Sequence, residues 1–276
     1  MTAPSPSQLL DAVRDIIHDV AAAEIMPRWR NLAEGDISEK TGPDDLVTVA
    51  DQAAERALSP RLTGLIAGSR VVGEEAVSAD PSVRTLFRGT GPLWVIDPID
   101  GTSAFAAGEP DFTVMVALVE DKRLRAGWII APALGRDLWG GAETGVFRST
   151  GAAPHQLPAP RVPAAVGSMT GILGKRNITA ERHAELQRRE KHFKALEGVT
   201  YAGIDYQRLA MGEVQFAAYS KSEPWDHLPG LAILSAYGFA CCRFDGSPYR
   251  AGDNEGGLLV APGEPVLAEI RGALFD

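Results

Sequence analysis

The sequence predicts an α+β protein made of two fused lobes, with mixed and antiparallel sheets. Three observations predict it. Apolar residues near the N-terminus recur at helical spacing, short apolar runs bounded by turns follow in each half, and a stretch rich in proline and alanine covers residues 151–163. The regular strand–helix–strand rhythm of a dinucleotide-binding fold is missing. We therefore expect a first lobe over residues 1–150 and a second over residues 151–276.

The first lobe begins with two predicted helices. Apolar residues from Leu9 to Val20 indicate one amphipathic helix, which ends by Pro27. A polar loop is predicted over residues 31–45, and a second helix from about Thr48 that bends or ends at Pro60. Strands are predicted over residues 70–72, 93–96, 112–120, 123–130 and 137–140, with Asp121 and Lys122 as a two-residue hairpin turn.

The second lobe is predicted to alternate between the two kinds of element. Its predicted strands cover residues 164–167, 214–219, 239–244 and 257–260. Its predicted helices cover residues 179–189, 206–211 and 226–237, followed by a last helix at the C-terminus. Gly212 and Gly238 stand where two of these helices should end.

Composition limits the possible partners. The net charge of −9 argues against nucleic acid, which needs clustered lysine and arginine. No segment approaches the roughly 20 apolar residues that cross a bilayer, so we expect no membrane partner and a cytoplasmic location. The two cysteines, Cys241 and Cys242, are adjacent and favour neither a disulfide scaffold nor a zinc site.

Carboxylates stand directly after two predicted strands. Glu74 and Glu75 follow one strand, and Asp97 and Asp100 follow the next, with Gly101 and Thr102 behind them. Acidic groups at strand ends can converge on one crevice. Hard divalent cations bind oxygen ligands, and a pair of such ions can hold both oxygens of a phosphoryl transfer. The pattern therefore indicates a metal-dependent site, in which cations separate an acidic protein from a phosphate ester.

Each of these pieces taken alone also has a structural interpretation. The Asp-Pro and Asp-Gly pairs near Asp97 are common in turns, and a Gly-Glu-Glu segment is usually a solvated loop. Thr48 and Asp51 have the spacing of a helix capping box, and Asp226 stands where a helix N-cap could lie.

Taken together and in order, the pieces resemble the inositol monophosphatase family of Mg²⁺-dependent, lithium-sensitive sugar phosphatases. The I-D-P-I-D-G-T stretch is the most specific of them. The matching residues are Lys40, Asp45, Val47, Thr48, Ala50 and Asp51; Gly73 to Glu75; Trp94 to Thr102; and Pro224 to His227. The resemblance implies the layered α-β-α-β-α sugar-phosphatase fold and a phosphoric monoester hydrolase.

The resemblance also implies roles for the matching residues. Glu74, Asp97 and the Ile99 carbonyl would hold one Mg²⁺, Asp97, Asp100 and Asp226 a second, and a third ion would lie near Glu74. The backbone of Gly101 and Thr102 would bind phosphate, and Thr102, Asp51 and Glu74 would be catalytic, activating water. Two or three Mg²⁺ per subunit, inhibition by Li⁺, a small phosphate ester as substrate and a homodimer are the further implications.

The leaving-group side departs from the family pattern. Inositol-specific members carry a glutamate where this chain has Tyr219, and their small-residue segment reads Thr200-Tyr201-Ala202-Gly203 here. We expect hydrolysis to be retained with a substrate that need not be inositol phosphate. The residues suspected of contacting the leaving group are Asp205, Tyr219, Lys221 and His227; for His227, an ordinary contact with a loop is the alternative.

Two alternatives stay open. The same chemistry could act on histidinol phosphate, 3′-phosphoadenosine 5′-phosphate, NADP or fructose 1,6-bisphosphate. The protein could instead be an inactive relative that binds a metabolite or a partner. The second alternative usually involves loss of a metal ligand, because an unopposed acid cluster is costly; Glu74, Asp97, Asp100 and Asp226 are all present.

Overall fold

Two sheets stacked between helices make up most of the protein. The computed structural model describes residues 5–40, 42, 46–151, 153–175 and 179–276, so Asp45 of the first motif lies outside the described residues. The helices are α1 (Pro6–Val20), α2 (Val49–Thr63), α3 (Glu74–Ala79), α4 (Thr102–Ala106), α5 (Ala180–Arg189), α6 (Ala202–Met211), α7 (Pro224–Ser235) and α8 (Glu264–Phe275). Short π and 3₁₀ segments join several of them.

The strands of the first half form a small ribbon and one large sheet. They are β1 (Ile37–Glu39), β2 (Leu46–Thr48), β3 (Arg70–Gly73), β4 (Pro92–Asp100), β5 (Thr113–Glu120), β6 (Arg123–Ala131), β7 (Arg136–Gly141), β8 (Gly145–Ser149) and β9 (His155–Gln156). Strands β3 to β9 pair in chain order to make a seven-stranded sheet, in which only the β3–β4 pair is parallel. Strands β1 and β2 pair with each other.

The second sheet is smaller and mixed. Its strands are β10 (Thr170–Leu173), β11 (Ala195–Glu197), β12 (Phe216–Tyr219), β13 (Ala240–Cys242) and β14 (Leu258–Ala261). They are ordered β11-β10-β12-β14-β13, with β10 parallel to both of its neighbours and the remaining pairs antiparallel.

Helices cover both faces of both sheets, which gives five layers. Helices α1 and α2 share a core with one face of the large sheet. Helices α6 and α7 lie between the sheets and pack on both. Helices α5 and α8 cover the outer face of the small sheet. The side chains of β4 show the consequence, because Trp94 and Ile96 are buried on one face and Leu93 and Val95 on the other. The predicted layered fold is confirmed.

Most predicted elements of the first half are present, with three differences. The turn at Asp121 and Lys122 is confirmed, and both residues have positive φ (49° and 65°), as a tight hairpin requires. The predicted loop contains β1. Helix α2 continues past Pro60, since a proline this close to the C-terminus removes only one bond of the last turn. Strand β4 does not end before Asp97; it runs to Asp100 with a register shift between the two.

The second half was predicted less well. The strand expected over residues 164–167 is wrong, because Val166–Ser168 forms a 3₁₀ turn and β10 begins only at Thr170. The parallel pair β10–β11 was not predicted, since each strand has only three or four residues and shows no clear alternation. Strand β9 lies within the predicted linker and pairs with β8. Gly212 ends α6 in the left-handed region, as predicted.

Candidate active site

The predicted acids meet at one edge of the large sheet. Strands β3 and β4 are parallel and Gly73 pairs with Ile96, which brings the segment that begins at Glu74 beside Asp97. Asp97 and Asp100 lie in the last part of β4 and are 2% and 9% exposed. The edge forms one side of a cleft of about 510 Å³. The acids that line the cleft from the two halves are Glu74, Asp97, Asp100, Glu197 and Asp226.

Asp226 enters from the opposite half, on the first turn of α7. Glu223 occupies the N-cap position of that helix and makes no side-chain cap bond, and Pro224 opens the first turn. Asp226 therefore lies inside the helix, and the structural interpretation of it as an N-cap is wrong. It lines the same cleft as the acids of β4. Burial raises the pKa of Asp226 to about 8, with the charges of Glu74 and Asp100 adding to the effect and Lys221 opposing it.

Asp51 connects the start of α2 to the acid edge. Its Oδ2 accepts hydrogen bonds from the backbone nitrogen (2.8 Å) and the hydroxyl (2.6 Å) of Thr48, which completes the predicted capping box. Its Oδ1 lies 3.1 Å from the Thr102 Oγ1, which also lies 2.9 Å from the Ile99 carbonyl oxygen. The capping interpretation is thus confirmed, and the same carboxylate reaches a second residue in the cleft.

Backbone groups hold the two aspartates of β4. The nitrogen of Ile99 donates to Asp97 Oδ1 at 3.0 Å, across the register shift of the strand. The nitrogen of Gly203, at the start of α6, donates to Asp100 Oδ2 at 2.7 Å, and the Thr113 hydroxyl lies 3.3 Å from the same oxygen. Asp100 is therefore held by an element of the second half of the chain.

The buried carboxylates raise one another's pKa. Burial raises the pKa of Asp97 well above its ordinary value, and the charges of Glu74 and Asp100 add to the effect. Burial also raises the pKa of Asp51 to about 7, against the lowering effect of the bonds from Thr48. A set of acids that resists ionisation in this way is typical of a functional site rather than of a solvated surface.

Glu55 fixes the Glu74 turn from beneath. Its two carboxylate oxygens accept hydrogen bonds from the backbone nitrogens of Glu75 (2.8 Å) and Ala76 (2.9 Å) at the start of α3. Gly73 allows this approach, since a Cβ atom there would lie 2.2 Å from the Glu55 carboxyl carbon. Sequence reasoning missed Glu55, although its position four residues after Asp51 on one helix was the available signal.

Lys40 binds the acidic turn from the other side. Its Nζ lies 2.9 Å from Glu74 Oε1 and 2.6 Å from Glu75 Oε1. Burial lowers the pKa of this ammonium group, but attraction by Glu74 and Glu75 more than offsets the effect, so the pKa lies above its ordinary value. Lys40 is consequently charged, and it neutralises part of the acidic edge.

The donor set fits a hard divalent cation in its chemistry. Carboxylates, with a backbone carbonyl at Ile99, are the oxygen ligands that Mg²⁺ uses. Across the residues that the structure describes, however, no three His, Cys, Asp or Glu side chains stand close enough together to hold one ion. Two features therefore support a metal site: the type of ligand, and the mutual repulsion of the acids that the raised pKa values show. The positions of the side chains do not by themselves surround an ion.

The turn after Asp100 faces the cleft. Gly101 has φ +89°, a left-handed conformation that favours glycine, and it precedes the five-residue helix α4 as its N-cap. The ring of Tyr201 lies against this turn, because a Cβ atom at Gly101 would be 3.1 Å from Tyr201 Cγ. The Tyr201 hydroxyl lies 3.0 Å from Ser103 Oγ, a contact across 98 residues of sequence that no local pattern could indicate.

Three of the four suspected leaving-group residues line the cleft, and one lies behind it. Tyr219, Lys221 and His227 are on its wall. Asp205 is fully buried on α6 and lies 3.3–3.4 Å from the backbone nitrogen of Thr200. Burial, with the charge of Asp100, raises the pKa of Asp205 to about 7.

Both ring nitrogens of His227 have protein partners. Nε2 lies 3.0 Å from the Lys221 carbonyl oxygen, which only accepts, so Nε2 carries the hydrogen. Nδ1 then accepts from the Tyr206 hydroxyl at 3.2 Å. Burial lowers the pKa of His227 to about 4, which keeps the ring neutral. The Tyr219 ring packs against both His227 and Tyr206, and its buried hydroxyl has no hydrogen-bond partner among the residues that the structure describes.

Comparisons with known proteins agree with this geometry. The sequence profile described as "Inositol monophosphatase family" matches residues 6–273. A Thermotoga maritima protein named fructose-1,6-bisphosphatase/inositol-1-monophosphatase is 26% identical over 82% of each chain. A histidinol-phosphatase of Streptomyces coelicolor is 31% identical over 84% of this chain and 86% of its own. The solved structure of a Thermotoga maritima IMPase superposes with a TM-score of 0.76 at 24% identity, covering 96% of this chain and 97% of its own.

Proposed function

We propose a function for this chain from the premise that it belongs to the inositol monophosphatase family: it hydrolyses the phosphate monoester of a small metabolite with the help of Mg²⁺. The predictions of the family, the layered fold and the phosphoric monoester hydrolase class are confirmed. The observation that carries the mechanism is the line of contacts from Asp51 through Thr102 to Ile99 beside the buried acids.

The acidic edge would hold the metal. We assign Glu74, Asp97 and the Ile99 carbonyl to one Mg²⁺, and Asp97, Asp100 and Asp226 to a second, with a third ion near Glu74. Since no three described acidic side chains surround one point in this structure, the assignment requires these side chains to close around the ions on binding. When bound, Mg²⁺ neutralises charge on the phosphoryl group and lowers the pKa of water. The raised pKa values of Asp97 and Asp226 support this assignment, because a cation would stabilise their charged forms.

Thr102 and Asp51 would move the proton of the attacking water. The Thr102 hydroxyl points its hydrogen towards Asp51 or the Ile99 carbonyl, so a lone pair of its oxygen remains to accept from a water molecule in the cleft. Asp51, whose pKa burial raises to about 7, can take up a proton near neutral pH. Glu74, at the same edge, would orient that water.

The turn after Asp100 would bind the phosphate. Gly101 is the N-cap and Thr102 the first residue of α4, and the first nitrogens of a helix have no partner within it. Both residues line the cleft. Their backbone N–H groups would therefore donate to phosphoryl oxygens while the acids act from the other side.

We also propose that the two halves of the chain divide the site between them. Residues 1–150 would supply most metal ligands, and residues 151–276 would supply Asp226 and the specificity residues. Tyr219, Lys221 and His227 would face the leaving group, with Asp205 supporting them from behind. From the family resemblance we propose inhibition by Li⁺ and a homodimer. From the net charge of −9 and the lack of a long apolar segment we propose a cytoplasmic location without nucleic-acid or membrane partners. Among the described residues, no helix is long and apolar enough to span a bilayer.

The relatives suggest three substrates to test. By their names, they act on inositol 1-phosphate, fructose 1,6-bisphosphate or histidinol phosphate. The experiment measures phosphate release from each of these esters separately, once in Mg²⁺ and once in EDTA. Two further substrates, 3′-phosphoadenosine 5′-phosphate and NADP, are tested in the same way. We expect release that depends on Mg²⁺. No release from any ester at saturating Mg²⁺ would overturn the proposal and favour an inactive binding protein.

A further inference from the structure

Part of the cleft wall is apolar, among polar residues. Leu173, Leu196, Val199 and Tyr201 line it from the second half of the chain, and Leu46 of β2 also lines the cleft. Val199 is 40% exposed, so its side chain is available to a ligand in the cleft. An apolar patch inside a concave site is a binding surface for an apolar part of a ligand.

Tyr201 joins this wall to the phosphate turn. Its ring lies against Gly101, and its hydroxyl lies 3.0 Å from Ser103 Oγ. The contact with Ser103 fixes the orientation of the ring, which is only partly buried and lines the cleft. Under the proposed function the phosphate binds at Gly101 and Thr102, so the group bonded to that phosphate must lie beside the Tyr201 ring.

Two charged groups of this wall form ion pairs with other parts of the protein: Glu197 with Arg208 at 2.5 Å, and Lys175 with Glu190 at 2.8 Å. A polyol lying against the apolar residues would give up hydrogen bonds to water that those residues cannot replace, which is unfavourable. A flat ring would give up little and would gain packing against an aromatic face.

We infer that the leaving group of the natural substrate is a flat, largely apolar ring, an aryl or heteroaryl carbinol, and that Tyr201 is the specificity-determining residue against which it packs. This inference rests on the proposed function, because it takes the phosphate position from it. The remaining short hydroxyl side chains of the wall, Thr200 and Ser220, would orient the ring, as a few polar groups do in apolar pockets.

The test compares three phosphate esters of primary alcohols that differ in the leaving group. Benzyl phosphate has a flat ring, cyclohexylmethyl phosphate has a puckered ring with the same number of carbons, and glycerol 1-phosphate has a polyol; inositol 1-phosphate is the reference. We expect kcat/KM for benzyl phosphate to exceed the values for the other three by about tenfold, the size of one good aromatic contact.

Variants then locate the cause. Tyr201→Ser should reduce the ratio of kcat/KM for benzyl phosphate to kcat/KM for glycerol 1-phosphate about tenfold, mainly by raising KM for benzyl phosphate. Tyr201→Phe loses the contact with Ser103 but keeps the ring packed against Gly101, so it should retain most of the ratio. Val162→Ser, at an exposed apolar residue that does not line the cleft, is the matched control and should change nothing. Circular dichroism melts check that each variant folds.

The outcomes separate the two proposals. A higher kcat/KM for a polyol ester than for benzyl phosphate would overturn the inference, and so would an unchanged ratio in Tyr201→Ser. Either result would leave the phosphatase proposal standing. Absence of release from every ester at saturating Mg²⁺ would overturn both.

Discussion

The two walls of the cleft are built in different ways. On the acidic wall, three aspartates each accept a hydrogen bond from a backbone nitrogen: Thr48 binds Asp51, Ile99 binds Asp97, and Gly203 binds Asp100. Side chains add to this support, among them the hydroxyls of Thr48 and Thr113 and the ammonium group of Lys40. The apolar wall is held by side-chain contacts, such as the one between Tyr201 and Ser103. Backbone groups are the same in every sequence, whereas side-chain contacts change with one substitution. The comparison suggests that the fold fixes the chemistry and leaves the leaving group open to change.

If this difference is correct, variants of the acidic wall should lower the rate for every ester by the same factor. The largest effect is expected for Asp97→Asn, which should lower kcat roughly a thousandfold or more, because in the proposed assignment Asp97 serves both metal sites and such a ligand contributes several kcal/mol. Phosphate release across the ester panel measures it. The metal-free variant should melt at the same temperature or higher, since a buried charge among like charges is removed.

Asp80→Asn is the control for that variant, since Asp80 is exposed and asparagine can still accept the bond from the Ser82 nitrogen. It should behave like the wild type. Full activity of Asp97→Asn would show that Asp97 does not bridge the metal sites.

The next effect concerns Thr102. Thr102→Val removes the hydroxyl that contacts Asp51 and Ile99, and it should lower kcat about 10²–10³-fold, the usual contribution of a positioned proton acceptor. Thr102→Ser keeps the hydroxyl and should stay within a few-fold of the wild type. Steady-state kinetics at saturating Mg²⁺ measures both. Equal rates for the valine and serine variants would remove Thr102 from the proton path.

A smaller effect is expected where the acidic wall is supported from beneath. Glu55→Gln can accept only one of the two backbone hydrogen bonds from Glu75 and Ala76, because the amide nitrogen is a donor. The Mg²⁺ concentration for half-maximal activity should rise about tenfold, a typical effect of losing a supporting bond, while kcat at saturating Mg²⁺ changes less. Glu24→Gln, at a surface ion pair, is the control. An unchanged Mg²⁺ requirement would contradict the positioning role.

The smallest effect is on stability against pH. Burial raises the pKa of Asp51 to about 7 and that of Asp226 to about 8, from 3.8. Between about pH 4 and 8 the folded protein therefore binds more protons than the unfolded chain, so its free energy of unfolding falls as pH rises. In EDTA the melting temperature should be roughly a few degrees lower at pH 8 than at pH 5.5, and Mg²⁺ should remove the difference. A melting temperature in EDTA that rises over this range would contradict the raised pKa values.

One part of the acidic wall could be predicted from the sequence because its residues are local, whereas Glu74 and Asp226 were expected from the family resemblance. Asp97, Ile99, Asp100 and Thr102 lie within six residues, and a strand followed by a tight turn is enough to place them together. The capping box at Thr48 and Asp51 was equally visible. That Asp51 also supports Thr102 was expected only from the family resemblance, because this contact across 51 residues depends on how α2 packs on β4 and no local spacing indicates it.

The apolar wall could be predicted only in part for the same physical reason. Tyr201 and Ser103 are brought together by the packing of α6 between the sheets, not by any spacing in the chain. The strands β10 and β11, which carry Leu173 and Leu196, are too short to show a period. Tyr219 was recognised as a departure from the family pattern, but its packing between Tyr206 and His227 needed the structure.

The double contact of Asp51 has a consequence for local opening of the native protein. Because Oδ2 holds the first turn of α2 and Oδ1 holds Thr102, the carboxylate cannot rotate without breaking both attachments. Fraying of the helix end and loss of the proton acceptor are then one opening event with one equilibrium constant. The exchange rate of the Thr48 amide hydrogen with solvent would therefore report the fraction of molecules in which the Asp51 carboxylate has left both Thr48 and Thr102.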